Sequence, residues 1–183
     1  MQVKQYLAVI AISIGAVTCK TIVQRPMCAC PAGWKEYNAD NKCFYFSRDT
    51  LNYPDSMRIC GFLSRSHGKE GQLALPDDAA ENTFLTNVLE NLAYNYTSFF
   101  IGFIDQAVEG VFVYPKTNVA IKYSNWGPNQ PNNRYDSENC VTITKDLTYG
   151  FNNTWADEQC MNEVYVKKSS NYAPVNLKNI LVN

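Results

Sequence analysis

The sequence predicts a small, exported domain of mixed helix and short strand, crossed by one long irregular loop. Three observations carry this. Two segments place apolar residues at helical spacing behind recognisable start signals. Several short apolar runs between turn residues read as strands. Seven cysteines follow an apolar N-terminal run, the usage of an oxidising compartment.

The N-terminal run extends from Tyr6 to Val17, behind a single lysine at Lys4 and before the small residues Thr18 and Cys19. This is the layout of a secretory signal peptide, expected over residues 1–19, and it is too short to be a membrane span. Elsewhere no apolar run has spanning length, so the mature chain is expected to be secreted, extracellular and without a membrane span. Removal after Cys19 leaves six cysteines, and removal before it leaves an odd thiol. Two sequons, Asn95-Tyr96-Thr97 and Asn152-Asn153-Thr154, are glycosylation candidates on surface loops. Sixteen basic against seventeen acidic residues give a net charge of −1, which provides no electrostatic footprint for nucleic acid or an anionic membrane.

Taken in order, Cys28 to Phe46 reads as a hairpin, with turn chemistry at Pro31, Gly33 and Asn38–Asn41 and a strand at Cys43-Phe-Tyr-Phe46. A helix is predicted from Tyr53 to Leu63, with Pro54 at its start and Tyr53, Met57 and Cys60 on its apolar face. Ser64 to Gly71 is a polar loop that holds the single histidine, His67. Leu73-Ala-Leu75 is a short extended piece. Asp78 followed by Glu81 forms a capping box that opens a second helix through about Glu90, with Phe84, Leu85, Val88 and Leu89 on one face. Phe99 to Phe103 is an apolar strand whose Gly102 marks a close backbone approach. Short strands are expected at Val111–Tyr114, Val141–Thr144 and Glu163–Lys167, and residues 169–183 read as a loose tail.

Between Pro115 and Asn139 the sequence has little periodicity and many Asn, Pro and Gly residues, and a loop this long in a compact domain is usually functional. Gln130-Pro-Asn132, Glu138 and Asp157 offer side-chain oxygens to one hard cation. Calcium takes about 6–8 oxygen ligands, some of which a sugar's vicinal hydroxyls can supply. No nucleophile elbow and no metal-hydrolase His–Glu spacing occurs, and His67 reads as a solvated loop residue, so the chain is not read as an enzyme.

These blocks together resemble the C-type lectin-like domain, in its long form with an N-terminal hairpin. Cys30-Pro-Ala-Gly-Trp34 and Cys43-Phe-Tyr-Phe46 are similar to that hairpin, and Phe100-Ile-Gly-Phe103 to the Trp-Ile-Gly-Leu core signature. Glu109-Gly-Val-Phe112, Tyr123-Ser-Asn-Trp126 and Trp155-Ala-Asp157 match further blocks, with the domain over residues 28–168. The resemblance implies an α+β fold in which two helices flank small antiparallel sheets, a long ligand-binding loop protrudes, and disulfides staple the whole. It implies the pairs Cys30–Cys43 and Cys140–Cys160. The third family bridge would join Cys60 to the last strand, where Lys167 stands instead. Either Cys28 pairs with Cys60, or Cys60 is a free buried thiol and Cys28 pairs between chains.

The resemblance further implies a principal calcium held by Gln130, Asn132, Glu138 and Asp157, with Pro131 cis so that both flanking side chains aim at one point. The family's Asn before that aspartate is replaced by Ala156. A second calcium would use Asp105, Glu109, Asn133, Glu138 and Asn139. The sugar would meet Gln130, Asn132 and Glu138, with Tyr135 placed to stack on a galactose-like ring. Trp126 and Trp155 read as core anchors of the loop. Gln130 and Asn132 are both amides, so with their oxygens on calcium they offer two donors and no acceptor to sugar hydroxyls. The implied function is a secreted, weakly calcium-dependent carbohydrate-binding lectin for glycans or glycoproteins, whose avidity oligomerisation would raise. The alternative is a calcium-independent lectin-like module that binds a protein or another surface.

Overall fold

In the computed structural model, residues 19–22, 25–28, 30–37, 42–47, 51–65, 71–91, 98–161 and 180–182 are described. His67, Asn95, the strand expected at Glu163–Lys167 and the leader residues 1–18 lie outside them. The chain divides into two units, Met1–Tyr45 and Phe46–Asn183.

In the first unit, β1 (Cys19–Ile22) and β2 (Arg25–Cys28) form an antiparallel ladder in which Cys19 stands opposite Cys28. Strands β3 (Lys35–Tyr37) and β4 (Lys42–Phe46) form the expected hairpin, in register Lys35↔Phe44. The Cys30–Cys43 disulfide closes it. The predicted hairpin therefore begins later than Cys28, which belongs to a separate ladder.

In the second unit, helix α1 (Tyr53–Arg65) starts where Asn52 Oδ1 accepts the Asp55 N–H at 2.9 Å. Its buried face holds Tyr53 and Cys60, as spacing suggested, together with Ser56 and Ser64, while Met57 is half-buried. Ser56 and Ser64 tolerate burial because each hydroxyl donates to a carbonyl one turn back, on Asn52 and Cys60. Cys60 is a free thiol, so the Cys28–Cys60 link is not formed. Burial pushes its pKa up to about 12, which leaves it inert as a thiol.

Helix α2 (Ala79–Glu90) follows β5 (Gln72–Leu73). Asp78 caps it by accepting the Glu81 N–H at 2.8 Å, while Glu81 reaches back to the Asp77 N–H at 3.3 Å. Helix–dipole and capping contributions of this kind are worth about 1 kcal/mol. Leu85 and Leu89 are fully buried, as expected, and Asn82 is buried beside them.

A five-stranded sheet forms the core. Its order is β10 (Phe151–Glu158), β9 (Cys140–Asp146), β6 (Ser98–Ile104), β7 (Val113–Tyr114) and β8 (Val119–Ala120). Central strand β6 is apolar on both faces, and Phe99, Phe100, Ile101 and Phe103 are fully buried. Burial of each such side chain stabilises by roughly 1.5–3 kcal/mol before entropy is counted. Gly102 is required here: a Cβ would lie 2.7 Å from Leu75 Cδ2 and 3.1 Å from the Leu73 carbonyl oxygen.

Several elements depart from the sequence reading, among them β8 inside the expected loop and the β1–β2 ladder. β10 occupies a segment not predicted as strand. At the far end of the chain, β11 (Ile180–Val182) pairs with β5, Leu181 opposite Leu73, so the end of the expected tail has regular pairing. The Cys140–Cys160 disulfide ties the start of β9 to the residues after β10.

Candidate cation and carbohydrate site

The site is built where β6, β9 and β10 end and the long loop returns to them. Trp155 anchors it from below. Its side chain is fully buried, its indole N–H donates to Asn82 Oδ1 at 2.8 Å, and it meets Trp126 edge-on at 5.7 Å between ring centroids. Trp126 in turn packs on Phe112 at 4.7 Å. The loop backbone locks onto β10 through Trp155 N–H to the Asn125 carbonyl (2.7 Å) and Gly127 N–H to the Trp155 carbonyl (2.8 Å). Both tryptophans are therefore loop anchors, as read from the sequence.

Beyond this anchor the Gln130–Pro131 peptide is cis. The tip then runs through left-handed backbone at Asn133, Tyr135 and Asp136 (φ 42°, 62° and 54°). Non-glycine residues rarely adopt this region, so surrounding contacts must hold it. Two buried carboxylates do so. Asp157, 4% exposed at the end of β10, accepts the Asn132 N–H on both oxygens at 3.0 Å and the Asn133 N–H on Oδ2 at 2.6 Å. Glu138, 7% exposed, accepts the Arg134 N–H at 2.8 Å, and its own N–H donates to Asn133 Oδ1 at 3.1 Å. Gln130 Oε1 accepts the Asp157 N–H at 3.4 Å.

Thus Gln130, Glu138, Asp157 and Asn133 are brought together. Asn132 joins them through its backbone N–H, and its side chain is exposed. Asp105, just past β6, is 1% exposed; its Oδ2 accepts the Gly110 N–H at 2.8 Å, and its Oδ1 is buried without a hydrogen-bond partner. Asn139 contributes its carbonyl to the Asp105 N–H at 3.3 Å. Glu109 is on the surface nearby. Tyr135 is 76% exposed, with the Arg134 guanidinium 4.9 Å from its ring centroid. Asn152 is exposed, but on strand β10 rather than on a loop.

The carboxylates repel one another. Burial first, then the charges of Asp157 and Glu158, push the Glu138 carboxyl up to about 7, against the opposing hydrogen bond from Arg134. Asp105 is raised by burial and by Asp157, and Glu109 by desolvation and then by Asp105, Asp157 and Asp136. Asp136 and Glu158 belong to this negative field, although the sequence reading did not include them. They could have been found by counting acidic residues along 136–158.

The donor set is all oxygen, which suits a hard cation. Its weakness is also plain. Among the described residues no three His, Cys, Asp or Glu side chains stand together as a metal site. Hydrogen bonds already occupy most of the roughly four lone-pair positions of Asp157. Ala156, paired with Thr142 and nearly buried, contributes no side-chain oxygen.

Comparison with known proteins agrees with this architecture. A perlucin-like protein of Mytilus galloprovincialis is 29% identical over 123 residues, 67% of this chain and 73% of the relative. Pulmonary surfactant-associated protein D of Bos taurus is 36% identical over 119 residues, 65% of this chain but 28% of that relative's length. The C-type lectin CEL-I of Cucumaria echinata superposes with a TM-score of 0.65 at 19% identity, over 84% of this chain and 96% of that one. The family model for the lectin C-type domain matches residues 49–166. The chain belongs to the C-type lectin domain family.

Proposed function

We propose that this is a secreted carbohydrate-binding protein whose long loop holds a weak calcium ion, through which it binds glycans or glycoproteins. The observation that supports the reading is the hydrogen-bond network that links Gln130, Asp157, Asn133 and Glu138 at the loop tip, with two buried carboxylates whose mutual repulsion a cation would relieve. The partnerless Asp105 Oδ1 is a second oxygen available to a cation in this field. Family membership supports carbohydrate as the ligand class.

When bound, calcium supplies a positive centre for two vicinal sugar hydroxyls. The chain's own residues do the rest. Asp157 holds the loop tip through Asn132 and Asn133, and Glu138 offers the acceptor that the Gln130/Asn132 amide couple lacks. Ala156 leaves one hydroxyl without a donor, so monosaccharide affinity is low, and water fills the gap. Tyr135 is exposed beside the tip, where a ring can stack on a sugar's apolar face. A second calcium would use Asp105, Glu109, Asn133 and Asn139. The apolar leader and the cysteine content support secretion, and the exposed Asn152 sequon supports glycosylation.

Retention on immobilised galactose and mannose, with and without EDTA, tests the reading. Chelation and Glu138→Ala should each release the protein; retention unchanged by both would exclude the mechanism. One observation favours a second reading. The tip closes on itself, with Asp157 hydrogen-bonded to its own loop, and Ala156 removes a ligand. A calcium-independent module binding a protein or another surface would look the same, and it would show no sugar retention at all.

A further inference from the structure

The seven cysteines are accounted for if one more pair is drawn. Cys30–Cys43 and Cys140–Cys160 are disulfides, and Cys60 is a free buried thiol. Cys19 and Cys28 remain, and β1 and β2 set them opposite each other in the antiparallel register Cys19↔Cys28, Lys20↔Met27, Thr21↔Pro26, Ile22↔Arg25.

The type of pair matters. Directly opposed residues in an antiparallel ladder alternate between hydrogen-bonded and non-hydrogen-bonded pairs, with Cα separations of about 5.5 and 4.5 Å. Proline has no N–H, so Pro26 is compatible only with a non-hydrogen-bonded pair, here with Thr21. Two positions along the ladder, Cys19↔Cys28 is of the same type. That is the closer pair, and either separation lies within the roughly 4.4–6.8 Å that a disulfide spans.

We infer that Cys19 and Cys28 form a third disulfide, which staples the β1–β2 ladder at its open end and requires Cys19 to remain in the mature chain. Any leader is then removed before Cys19, not after it. The odd thiol left by that removal is Cys60, which α1 buries. Formation takes two protons and two electrons from the thiols, and a disulfide oxidant of the secretory compartment, such as oxidised glutathione, is reduced to two thiols in exchange. The inference rests on the export part of the proposed function.

The test is disulfide mapping of the full chain expressed through a eukaryotic secretory route. The exported protein is denatured and alkylated without reduction, then digested and fragmented. The result expected is a mature N-terminus at or before Cys19, one alkyl label per chain, on Cys60, and a Cys19–Cys28 crosslink. In Cys19→Ala the label count should rise from one to two, the second on Cys28; Cys60→Ser should carry none. An exported chain that starts after Cys19, carries a label on Cys28, or links Cys28 to any other cysteine overturns the inference. A chain retained in the cell with its leader attached refutes export instead. Refolding that full chain in glutathione buffer then decides the bridge separately, by the same crosslink.

Discussion

The Asn133 N–H donates to Asp157 Oδ2 at 2.6 Å, across twenty-four residues of sequence, and so ties the tip of the long loop to the end of β10. The same carboxylate takes the Asn132 N–H. Asp157 is therefore the latch of a loop with three left-handed non-glycine residues near its tip.

Asp157→Ala should consequently cost stability even without calcium. Two backbone N–H groups lose their acceptor, and unsatisfied donors cost about 1–3 kcal/mol. Urea unfolding in EDTA is the measurement. A stability equal to that of the unmodified protein would mean that the latch carries nothing.

Ala156→Asn should strengthen calcium binding. It restores a side-chain oxygen beside Asp157, and a hydrogen bond or ligand contact to a charged group contributes about 1.5–3 kcal/mol, or roughly tenfold or more in affinity. Isothermal calorimetry reads the change. Equal affinities in the two proteins would remove Ala156 as the explanation of a weak site.

The Glu138 carboxyl gives a pH dependence. Its pKa is raised from 4.5 to about 7 in the folded chain, so the folded state holds the proton more tightly than the unfolded one. Without calcium, its contribution therefore favours folding at low pH and is lost as pH rises from about 4.5 through 7. Glu138→Gln should flatten that part of the stability–pH curve in EDTA. Calcium needs the ionised form, so its affinity should increase from pH 6 to pH 8. A calcium affinity independent of pH in this window would contradict the assignment of Glu138 as a ligand.

Asn82→Ala should leave the Trp155 indole N–H without its acceptor in a fully buried position. The expected cost is about 1–3 kcal/mol in urea unfolding, with a change in tryptophan fluorescence. An unperturbed protein would show that α2 does not support the site through this contact.

Much of the fold was legible because local signals and packing agree. Asp78 and Glu81 announced α2, and the apolar run Phe99–Phe103 announced a strand, which packing buries on both faces. Gly102 marked the close approach that the Leu73 and Leu75 contacts explain. β10 was missed for a physical reason. Asn153 is left-handed (φ 58°), and the register with β9 shifts between Asn152 and Thr154, so polar and apolar residues fall out of alternation. On α1, Tyr53 and Cys60 were legible, but Ser56 and Ser64 were not, because they satisfy their own hydroxyls and bury like small apolar residues. In the site, Gln130, Glu138 and Asp157 were visible as residue types at known spacing. The roles of the Asn132 and Asn133 N–H groups depend on the backbone path, which side-chain identity does not encode.

The most direct test of the central claim is the melting temperature of the full chain with calcium and with EDTA, beside Glu138→Ala. An ion that binds the folded state must stabilise it in proportion to its occupancy. The melting temperature should climb with millimolar calcium, fall back on chelation, and stay flat in the variant. A melting temperature independent of calcium in the unmodified chain would contradict the claim and leave the calcium-independent module.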